Sequence, residues 1–237
     1  MTTLAEKQQA ADAVILPYAM IAGVVLVVAF FFYLTRMPEP AKGASLKFDK
    51  AIFKKRHLTY AVIAQLFYVG AQAGIWGITI NYVIEILPGT SKEAASQNFL
   101  AIGTFLFVAG RFLGTWLMTF IDDHRLLTFY AGAAALLCLT GVLAEGKVAV
   151  YAILGTNFFM SIMFPTIFAL GVKGLGDYTK LGSSFIIMAI VGGAILPPVM
   201  GYMADEIGIQ QSFILPCLCF LVVLVYGWKG YNADPVN

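Results

Sequence analysis

Apolar residues run along this chain in seven long blocks, at about 13–35, 58–84, 97–121, 126–144, 148–172, 181–204 and 211–228, separated by short polar stretches. Each block is long enough to cross a hydrocarbon layer about 30 Å thick as a helix. In lipid a helix satisfies its own backbone groups, so the pattern predicts an all-α membrane protein with seven transmembrane helices.

The polar stretches are charged asymmetrically. One side collects Arg36, Lys42, Lys47, Lys50, Lys54, Lys55, Arg56, Arg125, Lys173, Lys180 and Lys229, whereas the other holds Lys7, Lys92 and Lys147. Cytoplasmic loops carry the excess of Lys and Arg, which predicts an external N-terminus and a cytoplasmic C-terminus in a multi-pass plasma (inner) membrane protein. The longest loop, 36–57, is basic and mixes Leu46, Phe48, Ile52 and Phe53 with lysines. It reads as a cytoplasmic linker with a short interfacial helix. Topology accounts for its charge, and no nucleic-acid role is expected. An external N-terminus on an odd number of helices raises the expectation that earlier helices have been lost.

Polar residues inside the blocks carry the candidate chemistry. Arg111 lies ten residues before Ile121, about 15 Å along a helix and half of a bilayer core about 30 Å thick. The thirteen acids all fall in loops, tails or helix ends, so this expected buried charge has no acidic partner in any other apolar block. A charge at that depth marks a site; the plainer reading is that it caps helix carbonyls. In the second block Gln65, Tyr68, Gln72, Trp76 and Thr79 fall on one helical stripe. Amides pair with vicinal hydroxyls and an aromatic face stacks on a sugar ring, which suits a carbohydrate cavity. Such residues also serve as interhelical glue. The fifth block places Asn157, Ser161, Phe164 and Phe168 on one face beside Pro165, which removes a backbone bond and kinks the helix. The sixth carries Gly192, Gly193 and Gly201 with Pro197 and Pro198, expected to allow close approach, bend the helix and act in gating. In the third block Thr104, Phe107, Thr115 and Met118 share the Arg111 face, and Gly110 and Gly114 form a small-residue pair for helix packing.

Composition agrees with the block pattern. Of 237 residues, 60% are hydrophobic and 12% charged, with mean hydropathy +0.84, against about 25% charge in soluble domains. Cys138, Cys217 and Cys219 sit inside apolar blocks, so neither disulfides nor a metal site is expected. His57 and His124 lie in different loops, and no nucleophile, metal-ligand or phosphate-loop pattern points to an enzyme. A seven-helix photoreceptor is also disfavoured, because Lys229 lies at the end of the last block and no acid lies within a span.

The runs AQLFYVGAQAGIW (64–76), GRFLGTWLM (110–118), FMSIMFPTIFALGVKGLGDYTKLGSSFIIM (159–188) and PPVMGYMADEIG (197–208) resemble the C-terminal half of the L-fucose permeases of the major facilitator superfamily. LPYAMIAGVVLVVAFFFYLTRMPE (16–39) resembles that family's sixth helix. The resemblance implies equivalence to helices 6–12. Residues 1–35 would be the sixth helix with a short external tail, and 36–57 the linker between halves. Residues 58–228 would be the C-terminal six-helix bundle, and 229–237 a cytoplasmic tail. It further implies proton-coupled transport of a monosaccharide by alternating access, L-fucose first and galactose or glucose as alternatives, with no cofactor besides the coupling proton. The family keeps its coupling carboxylates on its first and fourth helices, so a further five-helix half is the expected partner alongside the lipid bilayer. Phe164 stands where the related permeases have tyrosine, which removes a hydroxyl worth about 0.5–1.5 kcal/mol to a bound sugar. The site residues expected are Gln65, Tyr68, Gln72, Trp76, Asn157 and Phe164. The competing expectation is a half-transporter chain with no activity alone.

Overall fold

The computed structural model describes residues 4–35, 52 and 55–232. Most of the 36–57 linker, including Leu46, Phe48 and Phe53, and the end of the 229–237 tail lie outside the described residues. The chain divides into two compact units, residues 1–45 and 46–237.

Among the described residues, the first unit is one helix, α1 (Leu4–Leu34), with a continuous apolar run over Tyr18–Leu34. The described residues of the second hold six helices long and apolar enough to span a membrane: α2 (Arg56–Ile86), α3 (Lys92–Leu117), α4 (Asp123–Leu143), α5 (Gly146–Val172), α6 (Gly176–Ile207) and α7 (Ile209–Gly230). These seven helices follow the seven apolar blocks.

Helix α2 is the hub, packing against α5, α6 and α7, while α4 lies against α5 and α7, and α3 against α5. Lipid tails are as apolar as leucine, so helices in a bilayer associate through close packing and interhelical hydrogen bonds. Both devices are present. Aromatic and aliphatic side chains of four helices fill the centre: Tyr68, Ile75, Leu127, Ile153, Phe213 and Phe220 are all at most 1% exposed. Tyr82 of α2 lies with its ring 4.6 Å from that of Phe213 and donates its hydroxyl to the Gly141 carbonyl of α4 at 2.8 Å. Gln210 caps the same end of α4 by donating to the carbonyls of Gly141 at 3.1 Å and Ala144 at 2.6 Å. Cys138, Cys217 and Cys219 are buried free thiols in this core.

The α2–α6 contact is a seam of glycines. A Cβ at Gly192 would overlap the Leu66 carbonyl oxygen, one at Gly193 would lie 3.2 Å from Val69, and one at Gly74 2.9 Å from the Met200 sulfur. Gly192 and Gly193 therefore meet the expectation of close approach, whereas Gly201 faces open space. Helix α6 changes to a 3-10 turn at Ala189–Val191, and Pro197 and Pro198 lie inside the regular helix Gly192–Ile207 that follows.

Burial is uneven. In their apolar windows, 17% of α3 and 22% of α6 is buried, against 44–61% for the other four spans of the unit. These two helices expose a broad apolar face that includes Phe105, Phe112, Trp116, Ile187, Met188, Ile190 and Ile195.

Candidate functional site

Helix α5 is broken in mid-span. Its first segment ends at Met160, Ser161 and Ile162 form a turn, and a second segment runs Met163–Val172. The cause is local: Pro165 has no N–H, so the carbonyl four residues back, that of Ser161, loses its helical donor. Side chains from two other helices take up the carbonyls at the break. Arg111 of α3 donates from Nε to the Ser161 oxygen at 3.2 Å, and Tyr68 of α2 donates its hydroxyl to the Met160 oxygen at 2.9 Å.

One turn before the break, Asn157 ties α5 to α2. Its Oδ1 accepts from Trp76 Nε1 at 2.8 Å, and its Nδ2 donates to the Leu154 carbonyl at 3.1 Å. The Trp76 ring meets the Phe107 ring edge-on at 5.4 Å. The Arg111 guanidinium lies 5.5 Å from the centre of Phe107. Trp76, Phe107 and Arg111 thus form a continuous aromatic and cationic surface fixed to a broken helix. Glycines permit this closeness: Cβ atoms at Gly110 and Gly114 would overlap the Phe158 carbonyl and the Ile162 side chain. The small-residue pair packs α3 on α5, as expected, and in doing so delivers Arg111 to Ser161.

Three cavities follow the length of α3. One of about 330 Å³ is lined by Trp76, Thr79, Leu100, Gly103, Thr104, Phe107, Leu154 and Asn157. Its volume lies within the range of about 300–1,000 Å³ found for small-molecule pockets. A second of about 440 Å³ is lined by Arg111, Thr115, Met118, Asp123, Ile162, Pro165, Thr166 and Ala169. A third of about 320 Å³ shares Met118 and Asp123 with it and reaches His124, Lys173 and Tyr231 at the membrane surface. Phe107 and Arg111, one helical turn apart, divide the first from the second.

The residues expected from the sequence are distributed unequally. Trp76 and Asn157 are brought together at the first cavity, and Gln72 is half-buried one turn from Trp76. Tyr68 is 1% exposed and its hydroxyl is engaged by Met160, so in this structure it ties helices together. Phe164 is half-buried with its ring 6.5 Å from Tyr68. Gln65 is 0% exposed, and neither amide atom has a hydrogen-bond partner. Arg111 is exposed within this chain rather than buried, because the face of α3 that carries it has no covering helix in this unit. Among the described residues, no three His, Cys, Asp or Glu side chains are grouped so as to hold a metal ion. Sequence reasoning did not select Phe107, Thr79, Thr104 or Ser161 as site residues. A signal existed for Ser161, since Pro165 marks the carbonyl four residues before it as free.

The architecture matches solved structures closely. The Escherichia coli fucose:proton symporter FucP superposes with a TM-score of 0.85 and 40% sequence identity, over 95% of this chain and 57% of that one. A structure described as a major facilitator superfamily transporter, FucP, in the outward conformation gives 0.83 and 39%, over 95% and 56%. The chain has the major facilitator superfamily fold and resembles its L-fucose permeases. Among curated relatives, the L-fucose-proton symporter of Escherichia coli (strain K12) is 41% identical over 219 residues, 89% of this chain and 50% of the relative. A glucose/galactose transporter of Brucella abortus biovar 1 (strain 9-941) is 34% identical over 226 residues, 94% of this chain and 55% of the relative. No protein-family model matches the chain. The chain spans about half the length of the curated relatives it matches, which is consistent with a C-terminal half.

Proposed function

We propose that this multi-pass membrane chain forms the C-terminal half of a monosaccharide:proton symporter that works by alternating access. The observation that carries the reading is the Trp76–Asn157 pair, with Phe107, at a cavity of about 330 Å³ beside a broken helix. Broken helices near the bilayer midplane mark substrate sites in transporters. The indole and phenyl edges supply apolar faces for a sugar ring, and Gln72, Asn157 and Thr104 supply hydrogen-bonding groups. L-Fucose is the first candidate substrate, with galactose and glucose beside it. These are the sugars named for the relatives, and Phe164 removes one hydroxyl from the site. The function is transport rather than catalysis. It uses no cofactor beyond the coupling proton, and no nucleic acid. The N-terminus lies outside and the C-terminus in the cytoplasm.

Arg111 sits between a cavity on one side of the break and two on the other. Its exposure, and its hold on a carbonyl through Nε, support its meeting a carboxylate from a further five-helix half. Protonation of that carboxylate would release it, because neutralising one partner removes the attraction that holds the pair.

A second reading is favoured by the low burial of α3 and α6: the chain alone folds but does not transport, and acts only with a partner half. Co-expression with the first five helices of a relative tests both symport and the need for a partner. Labelled L-fucose uptake above that of either part alone supports the partnered symporter. Uptake by this chain unaided would contradict the need for a partner, and no uptake in any combination would contradict the symport reading.

A further inference from the structure

On a face remote from the α5 break, a groove of about 530 Å³ runs between the start of α2 and the end of α7. It is lined by Tyr60, Ile63, Leu221, Val225, Tyr226 and Lys229, together with Val222 and Gly230. Its walls are aliphatic and aromatic, and none of the lining residues is acidic. The two helix ends meet closely there, since a Cβ on Gly230 would lie 3.3 Å from the Cβ of Tyr60. This end of the unit also carries Lys55 and Arg56, which open α2.

Depth along the membrane follows from the side chains. Tyr60 is 50% and Trp228 62% exposed, and the Lys229 ammonium lies 4.5 Å from the Trp228 ring. Aromatic rings with a lysine at a helix end mark the headgroup level of a bilayer. Tyr226, 2% exposed, lines the groove, while its hydroxyl is fully buried.

We propose that this groove is a binding site for one anionic phospholipid. An acyl chain lies against Ile63, Leu221 and Val225, and the headgroup phosphate is held by the Lys229 ammonium and the Tyr60 hydroxyl. Basic pockets between transmembrane helices select anionic headgroups, and the excess of cations at this end with no lining acid sets the same preference. A zwitterionic lipid would offer the same phosphate but would also bring an ammonium or choline group against Lys229.

Native mass spectrometry of the full chain in detergent tests the site, with phosphatidylglycerol, phosphatidylcholine and glycerol phosphate as separate probes. The expected result is one retained phosphatidylglycerol per chain, favoured over phosphatidylcholine by about fivefold, the worth of one lysine near an anionic headgroup. Lys229→Gln should abolish that preference, and Val225→Trp, which fills the groove from its exposed wall, should remove retention of both lipids. Both positions are exposed, and circular dichroism confirms that the variants fold. Equal retention of the two lipids, or a preference unchanged in Lys229→Gln, would overturn the proposal. Glycerol phosphate bound as well as phosphatidylglycerol would also overturn it, by removing the acyl chain from the site.

Discussion

Helix α2 meets its neighbours in two contrasting ways. Toward α6 it presents Gly70, Gly74 and the backbone of Leu66, and the contact is dry, apolar and close enough for a Cβ at Gly192 to strike a carbonyl. Toward α5 it presents Tyr68 and Trp76, and the contact is polar, interrupted and bordered by a cavity. The first contact holds one geometry because small residues leave no room for another. The second is held by single hydrogen bonds, one to the Met160 carbonyl at the helix break and one to the Asn157 amide oxygen. The comparison teaches that one helix supplies both a rigid brace and a deformable wall, and that the deformable wall is where chemistry can be done.

The largest effect is expected at the seam. Gly192→Leu forces backbone apart, and its destabilisation should reach or exceed the upper end of the about 1–3 kcal/mol typical of overpacking. Gly201→Leu on the same helix should be near neutral, because nothing lies within 4 Å of the added Cβ. Denaturant unfolding in micelles, followed by circular dichroism, compares the two. Equal losses would dissolve the distinction between brace and wall.

Next in size is the pinning of the break. Arg111→Met leaves the Ser161 carbonyl without its donor and should cost about 1–3 kcal/mol. In a Pro165→Ala background the restored backbone N–H replaces that donor, so the same Arg111 substitution should cost about 1 kcal/mol less. A double-mutant cycle on unfolding reads this directly, and strict additivity would mean that Arg111 does not act through that carbonyl.

Smaller still is Trp76→Phe, which keeps the ring against Phe107 and removes the Nε1–H donor to Asn157. A loss of about 0.5–1.5 kcal/mol is expected in the same unfolding assay. The smallest effect should come from Gln65→Leu. Because the buried amide is unpartnered, replacing it with an apolar group of similar size should leave stability unchanged or raise it by about 1 kcal/mol. A clear destabilisation would show that the amide has a partner after all.

Much of this was legible beforehand. Seven apolar blocks and seven helices agree, because the bilayer sets helix length and polarity so strictly that the pattern is the fold. Gly110 and Gly114 were read as packing residues and are. The candidate site was legible as a set of faces and less so as contacts. Helical stripes placed Gln65, Tyr68, Gln72 and Trp76 together, but a stripe cannot tell which of its members a neighbouring helix seals. Tyr68 and Gln65 are sealed, and Trp76 is not. Pro197 and Pro198 drew attention as the bend in α6 and lie inside its second helical segment, whereas the irregular turn at Ala189–Val191 carries no proline that could have marked it. The Arg111–Ser161 contact could have been anticipated, since the i−4 rule for Pro165 names the free carbonyl. The exposure of Arg111 could not, since it depends on what lies against α3.

The central claim is that the α2–α5 wall is the sugar half-site of a proton symporter. It is tested most directly by the half-saturation of L-fucose uptake in cells expressing this chain together with the first five helices of the Escherichia coli symporter. The account predicts that Gln72→Ala and Asn157→Ala each raise the half-saturation concentration by about tenfold, the loss of about 1.4 kcal/mol of hydrogen bonding to the sugar. Gly201→Ala should leave it unchanged. Unaltered half-saturation in both wall variants, with uptake intact, would contradict the account.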